Sequence, residues 1–369
     1  MIEIKNKKKI CWITADYYSI VDVNRVPHLI DEFDIEWILI NCHNSKRKVD
    51  GLVSSAYKPK VYNLKFRQKD PRIIWQYISL LIKIKKLNVD LIYISYHGFP
   101  FFFPLLLKVI SPDKIIWAVH NVSIPKGASN ERWIGSYQNY IFKRINNFHV
   151  FSKNQLSLIK EKVPNKNYYY TPLPLEDFGI STVLPPTNVI RFLFFGYIKE
   201  YKRLDLLVHS FLELRNSGIN NIELIIAGNC DNWKYYQSII ADNIGITKKI
   251  GMIPNKDIPD LVSSCHYMVL PYNSGAQSGV LNLAYQYNKP VIVSDIESFK
   301  QFVIDGNTGY IFKNESQESL TITMKKIILG HEKNYNKLKQ NIRLFVEEEY
   351  DEDKVQVLYR NFLNECMKK

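Results

Sequence analysis

Three clusters of residues in this chain carry side chains able to do chemistry. Between Ser274 and Gly279 the sequence SGAQSG offers residues small enough for a ligand to reach backbone N–H groups. A helix starting near Ser278 or Gly279 would aim its free N–H groups at that loop, an arrangement suited to phosphate. The second cluster runs from Gly196 to Arg203, where an apolar strand ends in glycine and Lys202 stands at the junction with a helix. A cation there can neutralise a diphosphate held by the first loop, provided both strands end on one edge of one sheet. The third is His120 with Asn121, following the apolar run IIWAV. This is the carboxyl-end position where ligands meet an α/β sheet, although a lone histidine is also a common structural residue.

These loops need strands to hold them, and the sequence supplies two alternations of apolar runs with helical patterns. Strands are expected at Lys9 to Thr14, Glu36 to Asn41, Lys60 to Leu64, Asp90 to Ser95, Lys114 to His120 and Phe148 to Ser152. A second set follows at Arg191 to Gly196, Glu223 to Gly228, Lys249 to Met252, Tyr267 to Pro271, Pro290 to Ser294 and Gly309 to Phe312. Such alternation predicts doubly wound parallel sheets. Leu173 to Asn188, rich in Pro, Ser and Thr, is the best linker. The expected domains are therefore 1–180 and 186–350, with the tail from Ser316 helical and interrupted near Glu347 to Asp353.

The segments FGYIKEYKRLDLL, LIIAG, GMIPNKDIPDLVSSC and LPYNSGAQSGVLNLAYQYNKPVIVSD together resemble, in order, those of GT-B glycosyltransferases of family 4. The resemblance is dense over Arg191 to Phe312, and WAVHN, HVFSKNQ and TPLPLEDFG continue it more loosely upstream. It implies two Rossmann-like α/β domains facing each other across a cleft, the final helix 351–369 packing back on the first. It also implies a retaining, metal-independent enzyme that uses a nucleotide-diphosphate sugar, with a UDP-sugar favoured. By the same resemblance His120 and Lys202 are the catalytic candidates. The donor-binding candidates are Gly196, Tyr197, Arg203, Gly228, Met252 and Ile253, then Gly275, Ala276, Gln277, Ser278, Gly279, Val280 and Asn282. His97 and Asn121 are the acceptor-side candidates. Two departures stand out: the family's pair of glutamates seven residues apart falls on Gly275 and Leu283, and its arginine after the first glycine is Tyr197. Gln277, Asn282 or backbone groups would have to replace the missing carboxylates.

A chain of 369 residues with 46% hydrophobic content has room for two cores. Its five cysteines show no metal-ligand spacing, which fits a reducing cytoplasm. No D-x-D stands in a loop placed to hold a diphosphate-bound metal. No signal peptide is read at the N-terminus, and no apolar run reaches the ~18 to 20 residues that span a bilayer. Residues 1–185 hold 27 Lys and Arg against 15 Asp and Glu, whereas 186–369 hold 22 against 21. A basic first half suits an anionic membrane surface or lipid diphosphate, or is simply a lysine-rich solvated face; no nucleic-acid motif accompanies the charge. Arg72 to Leu87 and Phe99 to Ile110 are apolar enough either to pack on a sheet or to touch a membrane interface.

The expectation is thus a hexosyltransferase-like enzyme, peripheral at the inner face of a bacterial cell membrane. It would add one sugar to a surface-polysaccharide or glycolipid acceptor of the capsule or O-antigen kind. Other GT-B chemistry, such as sugar-nucleotide epimerisation, and a non-catalytic GT-B partner subunit are the alternatives.

Overall fold

The structure, a computed structural model, describes residues 7–23, 25–43, 57–124, 131–240, 245–275 and 278–368. The chain divides into two compact units, residues 1–174 with 352–369, and residues 175–351.

The first unit is a seven-stranded parallel sheet. Its strands are β1 (Lys9–Ala15), β2 (Asp34–Asn41), β3 (Lys60–Asn63), β4 (Leu91–Ser95), β5 (Ile115–Ala118), β6 (Asn147–Val150) and β7 (Asn167–Tyr170), in the order β3-β2-β1-β4-β5-β6-β7. Strand order reverses between β1 and β4, and in such sheets the crevice beyond the strand ends at that reversal receives ligands. β1 and β4 are buried on both faces, as continuous apolar runs must be. Trp12 sits between Trp37 and Tyr93 in register and stacks on Tyr93 at 3.8 Å. The helix Ile73–Lys86 buries Ile73, Tyr77, Leu80, Leu81 and Ile84 in the core. Phe99 to Ile110 is shorter in helical content than its apolarity suggests: only Phe102–Leu106 is helical, with Phe102, Phe103 and Leu106 buried. The helix Glu352–Cys366 belongs to this unit and packs Val355, Tyr359, Phe362 and Leu363 against Ile10, Trp12 and Tyr93. Each such burial contributes about 1.5–3 kcal/mol.

The second unit has six parallel strands: β8 (Ile190–Phe195), β9 (Ile222–Gly228), β10 (Ile246–Ile250), β11 (Tyr267–Leu270), β12 (Val291–Ser294) and β13 (Gly309–Phe312), in the order β10-β9-β8-β11-β12-β13. Its reversal lies between β8 and β11. The helix Gln317–Glu349 closes one face through Leu320, Met324, Ile327 and Leu338. Ser316 caps it by accepting from the Ser319 N–H at 3.1 Å.

Sequence and structure differ at several strand ends and in one added strand. β10 starts at Ile246, before the expected Lys249, because its pairing with β9 begins there. β5 ends at Ala118, so His120 stands two residues past the strand. β7, NYYY, was not expected: its residues are half-buried and lack the continuous apolar run that marks its neighbours.

Candidate functional site

In the second unit, the loops after β8, β9 and β11 converge at the strand reversal. Gly196 follows β8 at φ +101, and its N–H donates to the Ala227 carbonyl at 2.9 Å. Gly228 ends β9 at φ +140, so close that a Cβ there would run into the Gly196 carbonyl. Both positions need glycine, for backbone angle and for space. A single turn, Glu200–Lys202, then folds back, with Arg203 at φ +49 before the helix Leu204–Asn216. That turn tucks Lys202 inward until it is only 7% exposed. Its Nζ lies 5.1 Å from the centre of the Tyr272 ring. Burial lowers its pKa, and among the described residues no carboxylate pairs with it.

The loop after β11 leads to the helix Gly279–Gln286, capped by Ser278, whose Oγ accepts from the Leu281 N–H at 3.3 Å. Val280 on its first turn faces Gly196: its Cγ2 lies 3.3 Å from where a Gly196 Cβ would be. Gly275 is at φ +155 in open space. Ala276 and Gln277 lie outside the described residues. The structure therefore brings Gly196, Gly228, Lys202 and the first turn of this helix together. Gly251 joins them through its N–H to the Gly228 carbonyl at 3.0 Å, followed by Met252, 69% exposed, and the half-buried Ile253.

Three candidates are engaged elsewhere. Arg203 pairs with Asp205 at 2.9 Å and Glu315 at 3.3 Å, so its charge is already met. Tyr197 donates its hydroxyl to Asp231, which also holds Lys199 at 2.7 Å. Asn282 is buried and its Oδ1 accepts from the Tyr350 hydroxyl at 3.3 Å.

In the first unit, a cavity of about 520 Å³ opens at the β1/β4 reversal and includes Tyr17, Tyr18, His97, His120 and Asn121 in its lining. His120 is clamped between the rings of Tyr18, at 3.5 Å, and Phe151, at 4.6 Å. Its Nε2 is 3.0 Å from the Ser95 Oγ. Burial pushes its pKa down to about 3 and that of His97 to about 4, so both rings are neutral at pH 7. Asn121 accepts at its carbonyl from Gln138 Nε2 at 2.5 Å.

Sequence reasoning missed Glu176. It lies in TPLPLEDFG, yet its Oε1 fills the space a Cβ on Gly279 would need, placing a carboxylate at the first turn of the Ser278-capped helix. The missing signal is long range, 103 residues apart by the numbering. It also missed Arg67, Gln68 and Lys69, which reach the first unit's cavity from the segment after β3. Among the described residues no cluster of His, Cys, Asp or Glu is arranged to hold a metal ion. Nor is any described helix long and apolar enough to cross a membrane.

Known proteins resemble this chain in both sequence and fold. Residues 180–345 match the family described as Glycosyl transferases group 1. An uncharacterised glycosyltransferase of Methanocaldococcus jannaschii is 25% identical over 169 residues, 44% of this chain. The match spans 42% of that relative's length. A glycosyltransferase from Rickettsia africae superposes with a TM-score of 0.77 at 15% identity, over 99% of this chain and 100% of that one. HepE of Anabaena, in complex with UDP-glucose, superposes at 0.75 with 11% identity, over 97% and 99%. The fold is that of GT-B glycosyltransferases, two Rossmann-like α/β units, and residues 180–345 are similar to the family of glycosyl transferases group 1.

Proposed function

We propose that this chain is a retaining glycosyltransferase that takes a sugar from a nucleotide-diphosphate donor, with UDP-sugars favoured. One observation carries the reading: Lys202, buried and without a carboxylate partner among the described residues, stands beside the Ser278-capped helix N-terminus at the β8/β11 reversal. A buried unpaired cation is costly, and a diphosphate would compensate it. HepE, of the same fold, holds UDP-glucose, which supports a UDP-sugar as donor.

In this reading Gly196, Gly228 and Gly251 let the backbone approach the nucleotide, and Ser278 with Gly279 and Val280 offers N–H groups to its phosphates. Met252, Ile253 and Gly275 form the wider donor surround; Tyr197, Arg203 and Asn282 would join it only by giving up the partners they hold within the protein. Lys202 stabilises the charge that grows on the leaving diphosphate, the kind of preorganised contact that dominates such catalysis. The reading needs no metal, because that charge is met by the lysine and the helix N-terminus. The phosphate departs on the face the acceptor enters and helps to take the acceptor's proton. His120, neutral and held by Ser95, Tyr18 and Phe151, orients a sugar hydroxyl or the leaving group, and is not a nucleophile.

The acceptor is a surface glycan or glycolipid received by the first unit, with His97 and Asn121 beside it. An acidic inner membrane surface fits the excess of Lys and Arg in residues 1–185.

A thermal-shift series with UDP, GDP, CDP and ADP and their sugar conjugates tests this. At least one diphosphate should raise Tm, since stabilisation follows occupancy. Lys202→Ala should abolish the shift, whereas His120→Ala should keep it, because the bare nucleotide belongs to the second unit. No shift with any diphosphate would overturn the reading.

A further inference from the structure

An ammonium enclosed without a carboxylate needs something to keep it in place and charged. For Lys202 that is the face of Tyr272, a buried residue just past the end of β11. The Nζ lies 5.1 Å from the centre of the ring, whose quadrupole presents negative charge on its face. The ring is fixed by its neighbours. Tyr201, beside Lys202 in the turn, meets it edge-on at 5.8 Å, and Phe299 of the helix Glu297–Lys300 packs on it at 5.5 Å. The main chain is held as well: the Tyr272 carbonyl accepts from the Ser294 hydroxyl, and the Asn273 N–H donates to the Tyr201 carbonyl at 2.8 Å.

The other end of the same side chain answers to the second phosphate contact. Burial pushes the pKa of the Tyr272 phenol up, and the Ser278 side chain is the polar group that opposes this. Ser278 caps the helix Gly279–Gln286, so one side chain lies between the cation and the helix N-terminus.

A ring serves here where a carboxylate would not. A carboxylate would neutralise the ammonium and would have to be displaced before a phosphate could bind. An aromatic face stabilises the charge by less and leaves it available. Burial lowers the Lys202 pKa; the neighbouring Tyr201 phenol opposes this, and no carboxylate of the described residues pairs with the ammonium. A neutral amine would not meet a diphosphate, so a contact that favours the charged form matters more here than at an exposed lysine.

We propose that Tyr272 is the positioning residue of the diphosphate site: its ring face holds the Lys202 ammonium and its hydroxyl orients the Ser278 side chain, so that both contacts are set together. This rests on the reading that Lys202 and Ser278 receive the donor's diphosphate.

Calorimetry on the full chain with UDP, and with GDP, CDP and ADP in parallel, tests it. Tyr272→Phe and its difluoro and trifluoro analogues at the same position keep the shape of the ring while draining charge from its face, and each should hold its Tm. Nucleotide affinity should fall as pH rises through the Lys202 pKa. Fluorination should bring that fall to lower pH, by about half a unit or more across the series, because the ring then favours the ammonium less. Comparing variants with one ligand cancels the titration of the ligand itself. Tyr272→Phe without fluorine should leave that pH unchanged and weaken binding about threefold or more, through the lost hydroxyl. In a Ser278→Ala background it should cost nothing further. A pH dependence that ignores fluorine, or effects of Tyr272→Phe and Ser278→Ala that simply add, overturns the proposal. The donor reading fails separately: if none of the four diphosphates binds the wild-type chain, or if Lys202→Ala binds as well as wild type, the diphosphate does not sit here and the proposal falls with that reading.

Discussion

The Nζ of Lys202 lies 3.2 Å from the point a Cβ on Gly196 would occupy. The glycine that ends β8 and the lysine six residues later are therefore one unit, the first making room for the second. Gly196→Ala would force an L side chain to φ +101 and push the ammonium aside. We expect ~1–3 kcal/mol of destabilisation from the backbone alone, and loss of nucleotide binding beyond it. Chemical denaturation and calorimetry on the same variant read the two effects; undiminished nucleotide affinity would break the link between the residues.

Glu176 places a negative charge where a donor phosphate is proposed to bind. A carboxylate at a helix N-terminus contributes ~0.3–1 kcal/mol. Glu176→Gln should therefore lower the stability of the empty protein by about that much and tighten nucleoside diphosphate binding roughly two- to fivefold. Weaker binding in the variant would instead make Glu176 a ligand of the donor.

Acid should destabilise the fold from about pH 6.5 downward. Burial lowers His97 to about 4, His120 and His266 to about 3, and His149 well below its ordinary 6.5. Below pH 6.5 the unfolded chain binds protons at these positions that the folded one refuses, so stability falls as pH falls, by up to ~1.4 kcal/mol per pH unit for each. Asp22 opposes this: burial raises it from 3.8 to about 7, and the stability of its protonated form is lost as pH rises through that value. Four groups outweigh one. A urea midpoint that stays level or rises between pH 6.5 and 5 would contradict the account.

On the helix Ile73–Lys86, Trp75 is 74% and Ile82 52% exposed, seven residues apart and so on one face, with Lys83, Lys85 and Lys86 in the last turn. The chain should sediment with vesicles of acidic phospholipid more than with neutral ones and release above ~0.3 M salt. Replacing the three lysines with Gln, or Trp75 with Ala, should weaken it. Equal sedimentation with both vesicle types would exclude electrostatic docking.

Strands and their loops were legible because parallel strands buried on both faces are unbroken apolar runs; RFLFF and YMVL need no partner to be read. Lys202 was legible for the same reason, since a charge at a strand-to-helix junction is a local feature. Glu176 was not, because its meaning depends on Gly279 across the chain. Nor was the pairing of Arg203 with Glu315, because that partner lies 112 residues further along the chain. Arg67 and Lys69 look like any solvated cations until the fold brings them to the rim of the cavity that holds His97.

The most direct measurement is release of nucleoside diphosphate from a sugar nucleotide, in the presence of acceptor, by the wild-type chain and by Lys202→Ala. Removing one preorganised charge from the departing phosphate costs ~3 kcal/mol, a rate loss of roughly 10²-fold or more, with the fold retained. Equal rates in a folded Lys202→Ala variant would contradict the placement of the donor diphosphate at this lysine.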